Sequence, residues 1–237
     1  MCQSMFCYIP FPCHVWDEDA RGLMLLMLPF VGLEMGLLWA AAAWGLLWLK
    51  LPMLVTGFVL AILPFVMTGF IHLDGYMDVT DAVRSCRDLE KRRLILKDSH
   101  VGSFAVIGMI FLALGQFALL SSIPEGANVW ILALIPALSR CGSALAVTIL
   151  PPMTTSQYAR REKKPGHIWF LSILAAAILI AGLLLCGRDA VALLGVILGF
   201  GLALRYGYKN LGGMNGDISG YSLTCAEFMG LLFWIIF

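Results

Sequence analysis

The chain has 237 residues, 60% of them hydrophobic and 13% charged, with a formal net charge of +1 and a mean hydropathy of +0.88. Soluble proteins run near roughly 45–50% apolar and about 25% charged, so these figures exclude an ordinary soluble domain and define a membrane protein. The near-neutral balance, with no basic stripe interleaved with aromatics, excludes a nucleic-acid binder.

Residues 1–20 mix Phe, Tyr and Trp with prolines and acids and show no helical period. They read as an interfacial segment anchored by Trp16. No basic region precedes an apolar stretch and a small-residue cleavage site, so no cleaved signal peptide is expected. Apolar runs of spanning length follow at about 22–49, 52–71, 101–123, 128–150, 168–186, 190–204 and 222–237. A helix needs roughly 20 residues to cross. The runs 190–204 and 222–237 are short by that measure, and 22–49 is long enough to hold a kink near Pro29. The expected fold is an all-α integral membrane protein of about seven transmembrane helices, with six to eight compatible with the runs. It forms a single polytopic domain over residues 1–237, with no repeat and no linker.

The connectors set a topology. With seven crossings, Arg21 and the segments 72–100, 151–167 and 205–221 share one side, and they carry most of the lysines and arginines. The other side has only Lys50 and Arg188. The positive-inside rule places the N-terminus and the three long connectors in the cytoplasm, which implies a cell-membrane protein with its polar face inward. The seven cysteines (Cys2, Cys7, Cys13, Cys86, Cys141, Cys186, Cys225) form no C-x-x-C pair, so reduced thiols are expected rather than disulfides or zinc.

The connector 72–100 holds six acids and six bases. A charge at the bilayer centre costs about 2.5–3.5 kcal/mol even on lenient scales, so this segment belongs in water or a polar cavity. Read as a helix turning about 100° per residue, it aligns Asp74, Asp78, Asp81, Ser85 and Asp88 within one stripe. Such a stripe is either a solvated face or a site for Mg²⁺, which takes hard oxygen ligands, typically one or two carboxylates plus substrate phosphate. Gly75 is expected to bend the chain where it leaves the membrane. His72 is a headgroup-level polar residue, or a phosphate or metal contact. Asp98–Ser99 is either the N-cap of the following span or part of the chemistry.

A second polar island, "KNLGGMNGDISGYSLTCAE" (209–227), reads as a flexible glycine-rich loop, either a phosphate cradle or a re-entrant turn. Within the spans, Arg140 should face a cavity or the bundle interior, with Glu34 a candidate partner, and it would suit an anionic phosphate.

Taken together, "HLDGYMDVTDAVRS", "LKDSHVGSFAVIG" and "LGGMNGDISGY…E", preceded by "MFCYIPFPCHVW…LPFVGLEMGLL", resemble the cobalamin synthase family, the adenosylcobinamide-GDP ribazoletransferases. The resemblance covers nearly the whole chain. It implies a membrane-embedded, Mg²⁺-dependent enzyme that joins α-ribazole or its 5′-phosphate to adenosylcobinamide-GDP and releases GMP. It implies Asp74, Asp78 and Asp81 as metal ligands, and Asp81 or Asp98 as the acceptor of the hydroxyl proton. It further implies substrate contacts from Lys97, Ser99, Gly216 and Asp217, and His72, Arg140 and Asn215 complete the candidate substrate-binding set. The partners would be these small molecules and membrane lipid, with room for a homo-oligomer. Ala82, Tyr221 and Glu34 depart from the family pattern and bear on substrate preference.

Two other functions fit the composition. A CDP-alcohol phosphotransferase also gathers aspartates at a membrane lip, but its Asp-Gly-x-x-Ala-Arg signature is broken here, where Asp78 stands in place of alanine. A secondary transporter would show paired broken helices in two similar halves with a midplane site, and the sequence shows neither.

Overall fold

The computed structural model describes residues 1–8, 23–153 and 165–237. In chain order the helices are α1 (Cys2–Phe6), α2 (Met24–Trp48), α3 (Met53–Met67), α4 (Ile71–Arg84) and α5 (Leu89–Ile95). They continue with α6 (Ser103–Leu120), α7 (Ile131–Ile149), α8 (Pro165–Cys186), α9 (Val191–Leu211) and α10 (Gly216–Ile236). Among the described residues there is no β-strand, and Pro152 and Met214 form an isolated bridge. The all-α membrane expectation holds.

Five stretches are long and apolar enough to cross a membrane, or six if α3 and α4, bent by 90° at their junction, count as one broken span. The longest, Pro165–Leu211, has 47 residues. As one rod it would reach about 70 Å, more than twice the roughly 30 Å hydrocarbon core. Instead it turns at Gly187 (φ 56°) through the 3-10 segment Gly187–Ala190, and both arms, α8 and α9, pack on α7. Asp189 pins that turn by accepting from the Asn128 backbone N–H at 3.0 Å and from Trp234 Nε1 at 3.2 Å. Dividing this stretch at the turn would add one span to the five or six given by length and composition.

Boundaries differ from the sequence reading where polar residues end a helix. The runs 190–204 and 222–237 are extended by polar turns into α9 and α10, of 21 residues each. Gly212, left-handed at φ 69°, stops α9, and Asn215 caps α10 by accepting from the Ile218 N–H. The glycine-rich island is therefore a short connector between two helices rather than a flexible loop. The run 52–71 is broken after Met67, and α2 continues as one helix through a buried Pro29. At the N-terminus, residues 2–6 form a short helix packed on α2 with Phe6 and Cys7 buried, where the sequence showed no helical period. Trp16, Cys13, Arg21 and the basic residues Arg160, Arg161, Lys163 and Lys164 lie outside the described residues.

Small residues let the spans approach, as lipid-embedded helices require. Gly32 and Gly36 of α2 face Arg140, Pro136 and Ala133 of α7 so closely that a Cβ would overlap them. One end of the bundle gathers the turn at Gly187, residues 121–130 and the end of α10. The other gathers α1, α4, α5, the 150–153 segment and the start of α10, with Met153 N–H donating to Met214 O at 2.9 Å.

Candidate active site

The acidic motif lies on α4, the second arm of the broken span. Its Asp74, Asp78 and Asp81 share one face, whereas His72, Gly75, Val79, Ala82 and Val83 are buried on the others. Asp74 is exposed, and Asp78 and Asp81 are half-buried. The like charges around Asp78 are Asp74, Asp217 and Asp81. The predicted stripe ends there. The chain leaves the helix at Ser85, and Asp88 instead caps α5, accepting from the Lys91 N–H at 2.9 Å and holding its own carboxyl below the usual range through that bond.

The bend expected at Gly75 falls at Gly69 and Phe70, two successive left-handed residues (φ 57° and 65°). Gly75 is interior to α4 and serves contact. A Cβ there would stand 3.0 Å from Asp217 O and 3.1 Å from Asp217 Cα. A Cβ on Gly220 would come within 3.3 Å of His72 O. These two glycines let α4 and α10 touch, and the contact brings Asp217 beside the α4 acids. Gly75→Val is expected to destabilise the fold by about 1–3 kcal/mol, the scale of core overpacking, read as a lower unfolding temperature in detergent. Gly75→Ala should fall between that variant and the parent.

Asp217 lies in the first turn of α10, after Gly216. Asn215 orients it: Nδ2 donates to Asp217 Oδ2 at 2.6 Å while Oδ1 accepts from the Ile218 N–H at 3.0 Å. The connector is fastened by two arginines that the sequence reading did not single out. Arg92 Nη1 donates to Asn210 Oδ1 at 2.8 Å, and Arg93 donates to the carbonyls of Leu211 and Gly212, both at 2.9 Å. They satisfy the end carbonyls of α9 and meet the negative end of its dipole.

Lys97, Asp98 and Ser99 are exposed in the segment leading to α6. Asp98 does not cap α6, whose N-cap is Gly102. It closes a local turn, accepting from the His100 N–H at 3.0 Å and pairing with His100 Nδ1 at 2.6 Å, and those bonds hold its carboxyl below the usual range. At the end of this segment Gly102 packs against Asp81, where a Cβ would overlap the carboxylate. Ser99 is three residues away, at most about 11 Å along an extended chain.

Two expected site residues are held by other contacts. His72 is buried and stacks on Phe6, with centroids 6.1 Å apart. Arg140 is 1% exposed and paired with Glu227, Nη1 to Oε1 at 2.7 Å, and Ser139 Oγ also donates to that oxygen at 2.9 Å. Glu34, the partner expected from sequence, instead accepts from Gln3 Nε2. The signal for Glu227 was present: an acid inside a span needs a partner on a neighbouring helix.

Among the described residues no three His, Cys, Asp or Glu side chains are grouped so that they could hold a metal ion. None of Asp74, Asp78, Asp81 and Asp217 is ion-paired with a Lys or Arg among those residues. Hard oxygen donors with unneutralised charge suit Mg²⁺, which keeps several waters and completes its shell with one or two carboxylates and substrate phosphate. The donor chemistry fits that ion and no soft metal.

This architecture is that of a polytopic membrane protein with an acidic face at a broken span and a fourth acid supplied by a helix start. The family model for cobalamin-5-phosphate synthase matches residues 1–235. The adenosylcobinamide-GDP ribazoletransferase of Clostridium perfringens (strain SM101 / Type A) is 36% identical over 98% of this chain and 94% of its own length. That of Clostridium botulinum (strain Alaska E43 / Type E3) is 34% identical over 98% and 94%, and that of Halalkalibacterium halodurans 32% identical over 94% and 88%. No solved structure matches the chain. The chain belongs to the cobalamin-5-phosphate synthase family.

Proposed function

We propose that this chain joins α-ribazole, or its 5′-phosphate, to adenosylcobinamide-GDP and releases GMP at the acidic face of α4. A ribose hydroxyl oxygen attacks the cobinamide-side phosphorus, the bond from that phosphorus to the bridging oxygen breaks, and GMP departs with that oxygen. The carrying observation is that the α4 face and Asp217 lie within a whole-chain likeness to proteins of that activity.

Mg²⁺ held by one or two carboxylates from among Asp74, Asp78 and Asp81, together with substrate phosphate, would supply charge neutralisation at the pyrophosphate, where most catalysis of phosphoryl transfer arises. The protein's own groups do the rest. Asp81 accepts the hydroxyl proton in preference to Asp98, because His100 keeps Asp98 a weaker base. Lys97, exposed on the same connector, meets phosphate charge. Asn215 holds Asp217 toward the acids. Arg140 and His72 support the bundle behind the site. The basic connectors at this end of the bundle support a cytoplasmic site in the cell membrane, where nucleotide and ribazole arrive.

The test is product analysis with purified protein. Adenosylcobinamide-GDP and α-ribazole should give a ribazole-bearing corrinoid and GMP in equal amounts, and a CDP-activated alcohol should give no CMP. Folded protein that makes CMP but no GMP would move the assignment to the phosphotransferase.

A further inference from the structure

The break between α3 and α4 does more than turn the chain. Beside it lies a cavity of about 450 Å³ lined by Met5, Tyr8, Thr68, Phe70, Ile71 and Asp74, among others. We propose that this cavity seats the flat heterocyclic base of the incoming nucleoside. The proposal rests on the reaction assigned above and names the subsite for one of its two substrates.

Size separates the substrates. The volume is within the roughly 300–1,000 Å³ of small-molecule sites and suits a bicyclic base with its sugar. A corrinoid carrying a nucleotide is several times larger than such a nucleoside. The wall chemistry agrees. Tyr8 is 77% exposed and Phe70 52%, and neither ring stacks on another aromatic among the described residues. Aromatic faces of this kind take a flat heterocycle by stacking. Exposed Asp74 on the same wall argues against lipid as the occupant, since a carboxylate facing hydrocarbon is expensive.

The walls are held rather than loose. The Tyr8 N–H donates to Met67 O at 2.7 Å, and the ring lies over Gly69, where a Cβ would stand 3.3 Å from Tyr8 Cδ2. Phe70 is left-handed at φ 65°, a conformation that a bulky residue keeps only where surroundings impose it, and such residues cluster at ligand sites. Asp74 belongs both to this cavity and to the acidic face of α4. A base stacked in the cavity therefore directs its ribose hydroxyls along α4 toward Asp78 and Asp81, where the attacking oxygen is needed.

Equilibrium binding of α-ribazole to purified chain in lipid nanodiscs, paired with steady-state kinetics, tests the site. Tyr8→Ala should raise the Kd and KM for α-ribazole about tenfold, the scale of one lost base–aromatic stack, and Tyr8→Phe should restore both. Ile71→Trp, which fills the cavity, should do the same as Tyr8→Ala, and the KM for adenosylcobinamide-GDP should stay within about twofold in all three. Equal rises for both substrates, or a rise for the corrinoid alone, would overturn the proposal. If the parent chain releases no GMP, the reaction assignment falls, and binding still decides the cavity. Affinity lost in Tyr8→Ala and Ile71→Trp upholds it. Affinity that survives both, or no α-ribazole binding by the parent, overturns it.

Discussion

Asp78→Asn is expected to lower GMP release by roughly 10²–10³-fold, the scale on which a group stabilising transition-state charge is lost. Asp78 stands among Asp74, Asp81 and Asp217, half-buried and without an ion pair to Lys or Arg among the described residues. The amide keeps the shape of the side chain and removes one charge from the cluster. The like charges of Asp74, Asp81 and Asp217 act on Asp78, so the change relieves repulsion in the folded protein. The unfolding temperature should therefore hold or rise while activity disappears. That opposite movement separates a catalytic role from a structural one. A variant that turns over at near the parent rate would reduce the α4 face to a solvated stripe.

Glu227→Gln should have the reverse signature, destabilising the fold by about 3–5 kcal/mol because it leaves a buried guanidinium uncompensated. Arg140 is almost fully enclosed, and its 2.7 Å contact with Glu227 joins α7 to α10. Ser139 donates to the same carboxylate oxygen, so the substitution disturbs two bonds. The double variant Arg140→Met/Glu227→Leu removes both charges and should recover most of the loss. Thermal unfolding in detergent reads both effects. An unchanged unfolding temperature in Glu227→Gln would show that the pair contributes little to the bundle.

These two variants also mark what the sequence could and could not reveal. The acids on α4 were legible because helical spacing alone aligns positions 74, 78 and 81. Asp88 seemed to continue that stripe, but Ser85 ends the helix and a cap claims the side chain. The break at Gly69–Phe70 was hidden inside an apolar run, since hydropathy has no term for left-handed backbone. The approach of Asp217 to α4 depends on Gly75 and Gly220 meeting across 144 intervening positions of chain, and no local pattern encodes such a crossing. Arg140 was recognisable as a residue needing a partner. Choosing Glu227 over Glu34 required knowing which face of each helix turns toward Arg140, since α2 and α10 both pack on α7, and that is a matter of packing rather than periodicity.

The lengths of α9 and α10 carry the same lesson. Their apolar cores are shorter than a bilayer, and polar turns complete them, so hydropathy undercounts a helix whose end is also a working surface. Residues 212–217 are the clearest case. Composition suggested flexibility, whereas the structure spends their small size on a stop, a cap and a close contact.

The most direct measurement is GMP formation by the purified chain from adenosylcobinamide-GDP and α-ribazole, followed before chelation, after thorough removal of divalent cations, and after return of Mg²⁺. GMP is expected to form in step with the ribazole-bearing corrinoid, to cease on chelation and to resume with Mg²⁺. Undiminished GMP release from the chelated protein would contradict a metal role for the α4 acids, and no GMP from folded, Mg²⁺-supplied protein would contradict the assigned reaction itself.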